Sequence, residues 1–131
     1  MKKKGCISEA QIYRNRYIYA EYEILRATCR FTCVDAIACH ISRNSCMPHH
    51  FLSDQAAKLA YINYFNHGKI VAGRFKRPLI ESFINCCQRI RKLTGITVSS
   101  TIVDLANEMP APCVGLSSYQ VARILHAMGA H

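Results

Sequence analysis

Residues 109–128 read MPAPCVGLSSYQVARILHAM. Pro110 and Pro112 set a bend. Ser117 then stands where a helix N-cap belongs, with Gln120 three residues on, the spacing of a capping box. Val121, Ile124, Leu125 and Met128 recur at helical spacing and form one apolar stripe. Gln120, Arg123 and His126 fall away from it. Upstream, residues 97–108 (TVSSTIVDLANE) read as a second short helix. Two short helices around a tight bend, the second with a polar and basic outer face, have the outline of a helix-turn-helix.

The outline occurs twice. At a shift of 65 residues, Arg26 falls on Arg91, Thr32 on Thr97, Ile37 on Ile102, Ser53 on Ser118, Gln55 on Gln120 and Ala57 on Ala122. The identities are few, but the order repeats: long helix, Thr, short helix, Pro-containing bend, Ser, short helix. The reading is an all-α chain of tandem three-helix, helix-turn-helix-like units related by internal duplication. The plainer alternative is an ordinary helical domain whose amphipathic segments resemble one another because all such segments do.

In this reading residues 1–8 are a basic tail, 9–66 the first unit, 67–77 a basic linker and 78–131 the second unit. Ser8 or Glu9 starts a helix to about Cys29. Ile18, Tyr22 and Leu25 make its stripe, and Arg14, Arg16, Glu21, Glu23 and Arg26 its polar face. Thr32 caps a helix from Cys33 to about Arg43. Pro48 bends the chain, and Phe51 fills the space between helices as Leu116 does in the second unit. Ser53 caps a third helix with Ala56, Leu59, Ile62 and Phe65 inward and Lys58 and Tyr61 outward. Ile70–Ala72 is the one place allowed a short strand. Pro78 suits the first turn of a helix that runs to Thr94 and stops at Gly95, with Phe83, Cys87 and Ile90 inward.

Half of the 131 residues are hydrophobic, enough for a core. A unit of about 60 residues buries too little surface to stand alone, so the two units are expected to pack together or dimerise. Seventeen Lys and Arg against eight Asp and Glu give a net charge of +9, which favours a polyanionic partner. No apolar run reaches the roughly 18 residues that span a bilayer, and the basic start lacks the apolar region of a secretion signal. The eight cysteines fall mostly on helices, Cys86 beside Cys87. That suits small buried hydrophobes in a reducing cytoplasm better than a disulfide framework.

Cys29, Cys33, Cys39, His40, Cys46, His49 and His50 crowd into 22 residues and are the candidate metal ligands. Cys46 and His49 have a spacing zinc accepts, but the second clean ligand pair of a structural zinc site is missing. No signature of a cysteine nucleophile, a carboxylate pair or a glycine-rich phosphate loop is present. The expectation is therefore no enzyme and no cofactor.

Double-stranded DNA is the expected partner. The second helix of each unit would cross the phosphate backbone and the third enter the major groove. The outer positions there are Gln55, Lys58 and Tyr61, then Gln120, Arg123 and His126; Gln suits adenine and Arg guanine. Lys69, Arg74, Lys76 and Arg77 of the linker would hold phosphates, as would Lys2, Lys3 and Lys4 of the tail. The alternatives are a helical protein–protein adaptor and a small zinc-stabilised RNA binder.

The stretch PAPCVGLSSYQVARIL resembles a motif of small helical proteins of bacterial mobile elements and prophages. Pro110, Ala111, Pro112, Ser117, Ala122 and Arg123 match it. Val114 and Gly115 stand where that motif has an aromatic pair, and Phe51-Leu52-Ser53 keeps part of it. The likeness covers under a fifth of the chain. It implies a DNA-related role in a mobile element and assigns no activity.

Overall fold

Ser8 starts the first helix with both bonds of a capping box: its hydroxyl accepts from the Gln11 N–H, and the Gln11 side chain accepts from the Ser8 N–H. The structure, a computed structural model, describes residues 8–28, 31 and 33–131. The helices among them are α1 (Glu9–Ala27), α2 (Val34–Asn44), α3 (Asp54–His67), α4 (Arg77–Thr94), α5 (Ser99–Glu108) and α6 (Ser118–Ala127). The chain is all-helical, with no strand among the described residues. The short strand expected at Ile70–Ala72 is irregular chain instead, because no second segment lies alongside to take its hydrogen bonds. No described helix is long and apolar enough to cross a membrane. The expected cap Thr32, the helix end at Cys29 and the lysines of the tail lie outside the described residues.

Local signals place the other helix ends. Ser53 caps α3 by accepting from Ala56, and Ser117 caps α6 in a second capping box with Gln120. Pro78 sits in the first turn of α4, where its missing N–H costs nothing. Gly68 and Gly95 end α3 and α4 in the left-handed conformation.

The helices do not pack in chain order. α2 lies chiefly against α6, with α1 flanking both; α4 lies against α5, with α3 leaning on both. Neither α2 and α3 nor α5 and α6 are in contact. The consecutive helix-turn-helix pairs expected from the sequence are thus opened out, and the third helix of each half rests on the other half.

The two bends cross where this exchange happens. The Met47 N–H donates to the Ala111 carbonyl at 3.0 Å, and the Ala111 N–H to Met47 at 2.9 Å. The Asn107 carboxamide bonds both backbone groups of Leu52, at 2.9 and 2.8 Å. Opposite, the Ser42 hydroxyl donates to the Leu116 carbonyl at 2.7 Å. Phe51 and Gly115 are both left-handed, and Phe51 and Leu116 are buried as expected. The caps Ser53 and Ser117 lie 64 residues apart, not 65, so counted from its cap Gln120 takes the place of Ala56 and not of Gln55.

Two faces differ from expectation. Arg14, assigned to the polar face of α1, is only 8 % exposed and continues the buried stripe of Ile18 and Tyr22; its four-residue spacing outranks its charge. On α3 the buried residue is Ala57, with Tyr61, Tyr64 and Phe65 leaning on the core, whereas Leu59 and Ile62 are 57 % and 45 % exposed. That helix is apolar on several sides, and no contrast in its sequence selects one.

Gly115 touches the start of α4. A Cβ there would stand 2.7 Å from Leu79 Cδ2, at a φ of +76°. Gly115→Ala should lose about 2–4 kcal/mol in urea unfolding, from strain and overpacking together. Gly95→Ala, with the same backbone sign and open space around it, should lose only about 1 kcal/mol. Equal losses would mean that the bend does not press on α4.

Candidate nucleic-acid interface

Val121 and Leu125 anchor α6 inward and are fully buried. That anchoring turns Gln120 and Arg123 outward, both exposed. The Arg123 guanidinium lies over the Tyr119 ring, 5.9 Å from its centroid, which limits the orientations it samples. Gln120 is partly committed: its Oε1 accepts the Ser117 N–H at 2.9 Å, leaving its NH2 to donate. His126 lies on the other flank, 3.7 Å from the Asp35 carboxylate of α2.

Gln120 and Arg123 face a groove of about 870 Å3. Its opposite wall is the first half of α1, with Gln11, Arg14 and Asn15, and its end is the turn at Gly73–Lys76. Among the described residues, four cationic side chains line it, Arg14, Arg74, Lys76 and Arg123, and no Asp or Glu does. Among the described residues no lysine or arginine is paired with an Asp or Glu. Arg14 donates from Nε and Nη2 to Asn15 Oδ1 at 3.1 and 3.0 Å. Burial pushes its pKa down. The half-buried Lys76 is pushed down by burial first and by the Arg14 charge second. Two cations crowd one another there, the condition that an anion relieves.

The other expected contact residues scatter. Lys69 is exposed on the connection and Arg77 at the first residue of α4, where Arg77 Nη2 reaches the Ala72 carbonyl at 3.5 Å. Gln55 and Lys58 are exposed on α3. Tyr61 is half-buried, its ring 4.4 Å from that of Phe65, which ties it into the core. Beside the start of α3 a smaller groove, about 400 Å3, carries Glu9, Asp54 and Glu108. The two grooves thus differ in sign.

No three His, Cys, Asp or Glu side chains gather as a metal site among the described residues. Cys29 of the zinc set lies outside them; Cys33 and Cys46 are exposed. His49 Nδ1 donates to the Glu108 carbonyl. His50 is buried at the crossing of the bends, its Nδ1 donating to the Met109 carbonyl and its Nε2 accepting from Ser82 Oγ, each at 2.9 Å. Burial raises the Cys86 and Cys87 thiols, Cys87 up to about 12, so both are neutral thiols near pH 7 and poor nucleophiles.

The sequence reading missed Arg14, Asn15 and Gln11. Only Arg14 carries a signal for its place, since Arg14, Ile18 and Tyr22 fall on one helical stripe. Comparison with protein-family models, with curated proteins and with solved structures returned no match to this chain.

Burial lowers the His50 pKa from 6.5. Its neutral form therefore stabilises the fold fully above pH 6.5, and that contribution is lost as the pH falls through the lower folded value. Urea melts at pH 5 and 7.5 should show the wild type losing more stability on acidification than His50→Gln. Equal losses would mean that His50 keeps an ordinary proton affinity in the fold.

Proposed function

We propose that the protein binds double-stranded DNA without catalysis, as a regulatory or accessory factor, and that α6 is its reading helix. The observation that carries this is the groove: Gln120 and Arg123 share it with Arg14, Arg74 and Lys76, and no carboxylate lines it. Cations gathered without counter-charge attract a polyanion at long range and release its counterions on contact. The brace for α6 is α2, from the other half of the chain. This amounts to an internal duplication with exchanged third helices, and it is supported by the paired bends, by the matching Asn107–Leu52 and Ser42–Leu116 bonds and by the two serine caps. A role in a mobile element fits the resemblance of the Pro110–Arg123 stretch.

The matching helix α3 is a poor reader, because Glu9, Asp54 and Glu108 lie at its start and would repel phosphates. Its exposed Leu59 and Ile62 favour protein contact there, either with a second copy or in the adaptor reading.

Binding to a randomised duplex pool tests both. DNA binding should weaken steeply between low and physiological salt. Arg123→Ala should relax sequence preference, with a loss of about 1–3 kcal/mol on the preferred site. Arg74→Ala and Arg77→Ala should weaken all duplexes alike and flatten the salt slope by about one each. Gln120→Ala is the poorer probe, because it also removes a capping bond worth about 1 kcal/mol. Retention indifferent to both sequence and Arg123 would favour the adaptor.

A further inference from the structure

The floor of the groove is built differently from its rim. Arg74 and Arg123 are exposed, as surface cations usually are. Arg14 is more than nine-tenths buried, yet no carboxylate meets it; its hydrogen bonds go to the neutral Asn15. A buried guanidinium without counter-charge is a cost to the folded chain. The fold does not need it at this place. On α4 the stripe that matches Arg14, Ile18 and Tyr22 is Leu79, Phe83 and Cys87, all buried. Leucine fills the matching position there.

We infer that Arg14 and Lys76 form a seat for one phosphate group. Its oxygens would take the free donors of the Arg14 fork and the Lys76 ammonium, with the Arg74 and Arg123 cations closing over the rim. A planar fork matches two oxygens of a phosphate at once. The anion supplies the counter-charge both cations lack, and it relieves their mutual repulsion. A backbone phosphodiester and a free phosphate present the same oxygens, so the seat does not depend on α6 reading DNA.

The test compares wild type, Arg14→Leu and Lys76→Gln at constant ionic strength. One arm follows thermal unfolding against inorganic phosphate and pyrophosphate. The other follows binding of a short duplex against salt concentration. Arg14→Leu should melt higher than the wild type without ligand, since it removes an unpaired buried charge. If the seat takes a free phosphate, saturating anion should raise the wild-type melting temperature, by roughly 10 °C at a hundredfold excess over the dissociation constant. Both variants should then be nearly flat. If it takes a strand phosphate only, the free anions move nothing, and each variant lowers the salt slope for the duplex by about one. Should Arg14→Leu fail to fold, Lys76→Gln carries the same two readouts. The proposal is overturned if phosphate shifts wild type and variants equally, or if no anion moves the wild type and the duplex slope is unchanged. Loss of all duplex binding would end the DNA reading alone, because the anion arm still decides the seat.

Discussion

Two bent segments lie antiparallel at the centre of this fold and satisfy one another. Residues 45–53 and 109–117 are irregular, and an irregular backbone under a core carries amides and carbonyls that need partners. Met47 and Ala111 exchange both bonds, and the Asn107 carboxamide occupies both groups of Leu52. His50 closes the crossing by joining Met109 to Ser82. The exchange of helices follows from this pairing. A chain leaving either bend is already directed into the opposite half, so α6 meets α2 and α3 meets α5 and α4.

The same frame carries different side chains in its two halves, and the difference has one direction. The left-handed bend position is glycine in one half and Phe51 in the other, where the ring packs against Tyr17 at 5.6 Å. The matching helix stripes hold Arg14 in one half and Leu79 in the other. Beside α6 the result is a cationic groove; beside the start of α3 it is a smaller one with three carboxylates. One cationic groove and one acidic groove suit a single oriented contact with a polyanion rather than two equivalent ones.

Much of this could be read from residues that act locally. Ser8, Ser53 and Ser117 cap helices, Gly68 and Gly95 stop them, and Pro78 opens one, because each effect is complete within a few residues. Partner choice is a different kind of information. Nothing in the periodicity of α6 says whether its stripe of Val121 and Leu125 meets α5 or α2; both present apolar faces, and the crossing of the bends decides. The face of α3 was hidden for a related reason, since Leu59, Ile62, Tyr61 and Phe65 are all apolar enough to be buried. Arg14 was misplaced by its charge, although its spacing put it with Ile18. The role of His50 lay outside any local signal, since its partners Met109 and Ser82 are 59 and 32 residues away along the chain.

Depth within the groove separates two kinds of electrostatic contribution. Arg123 and Arg74 lie in water, where salt screens their charge within about 10 Å. Arg14 and Lys76 are desolvated, so their attraction for an anion is screened far less, while their cost without one is greater. A polyanion arriving at the proposed face would first feel the rim, which steers it at long range. One phosphate of it would then replace the hydration that burial has already removed from Arg14. The folded chain bears that desolvation before any partner arrives, so binding need not supply it again, and the position of the bound phosphate is fixed by α1 and not by a mobile side chain. With the phosphate fixed at the floor, the reach of Arg123 at the rim becomes a defined distance along whatever strand lies across it.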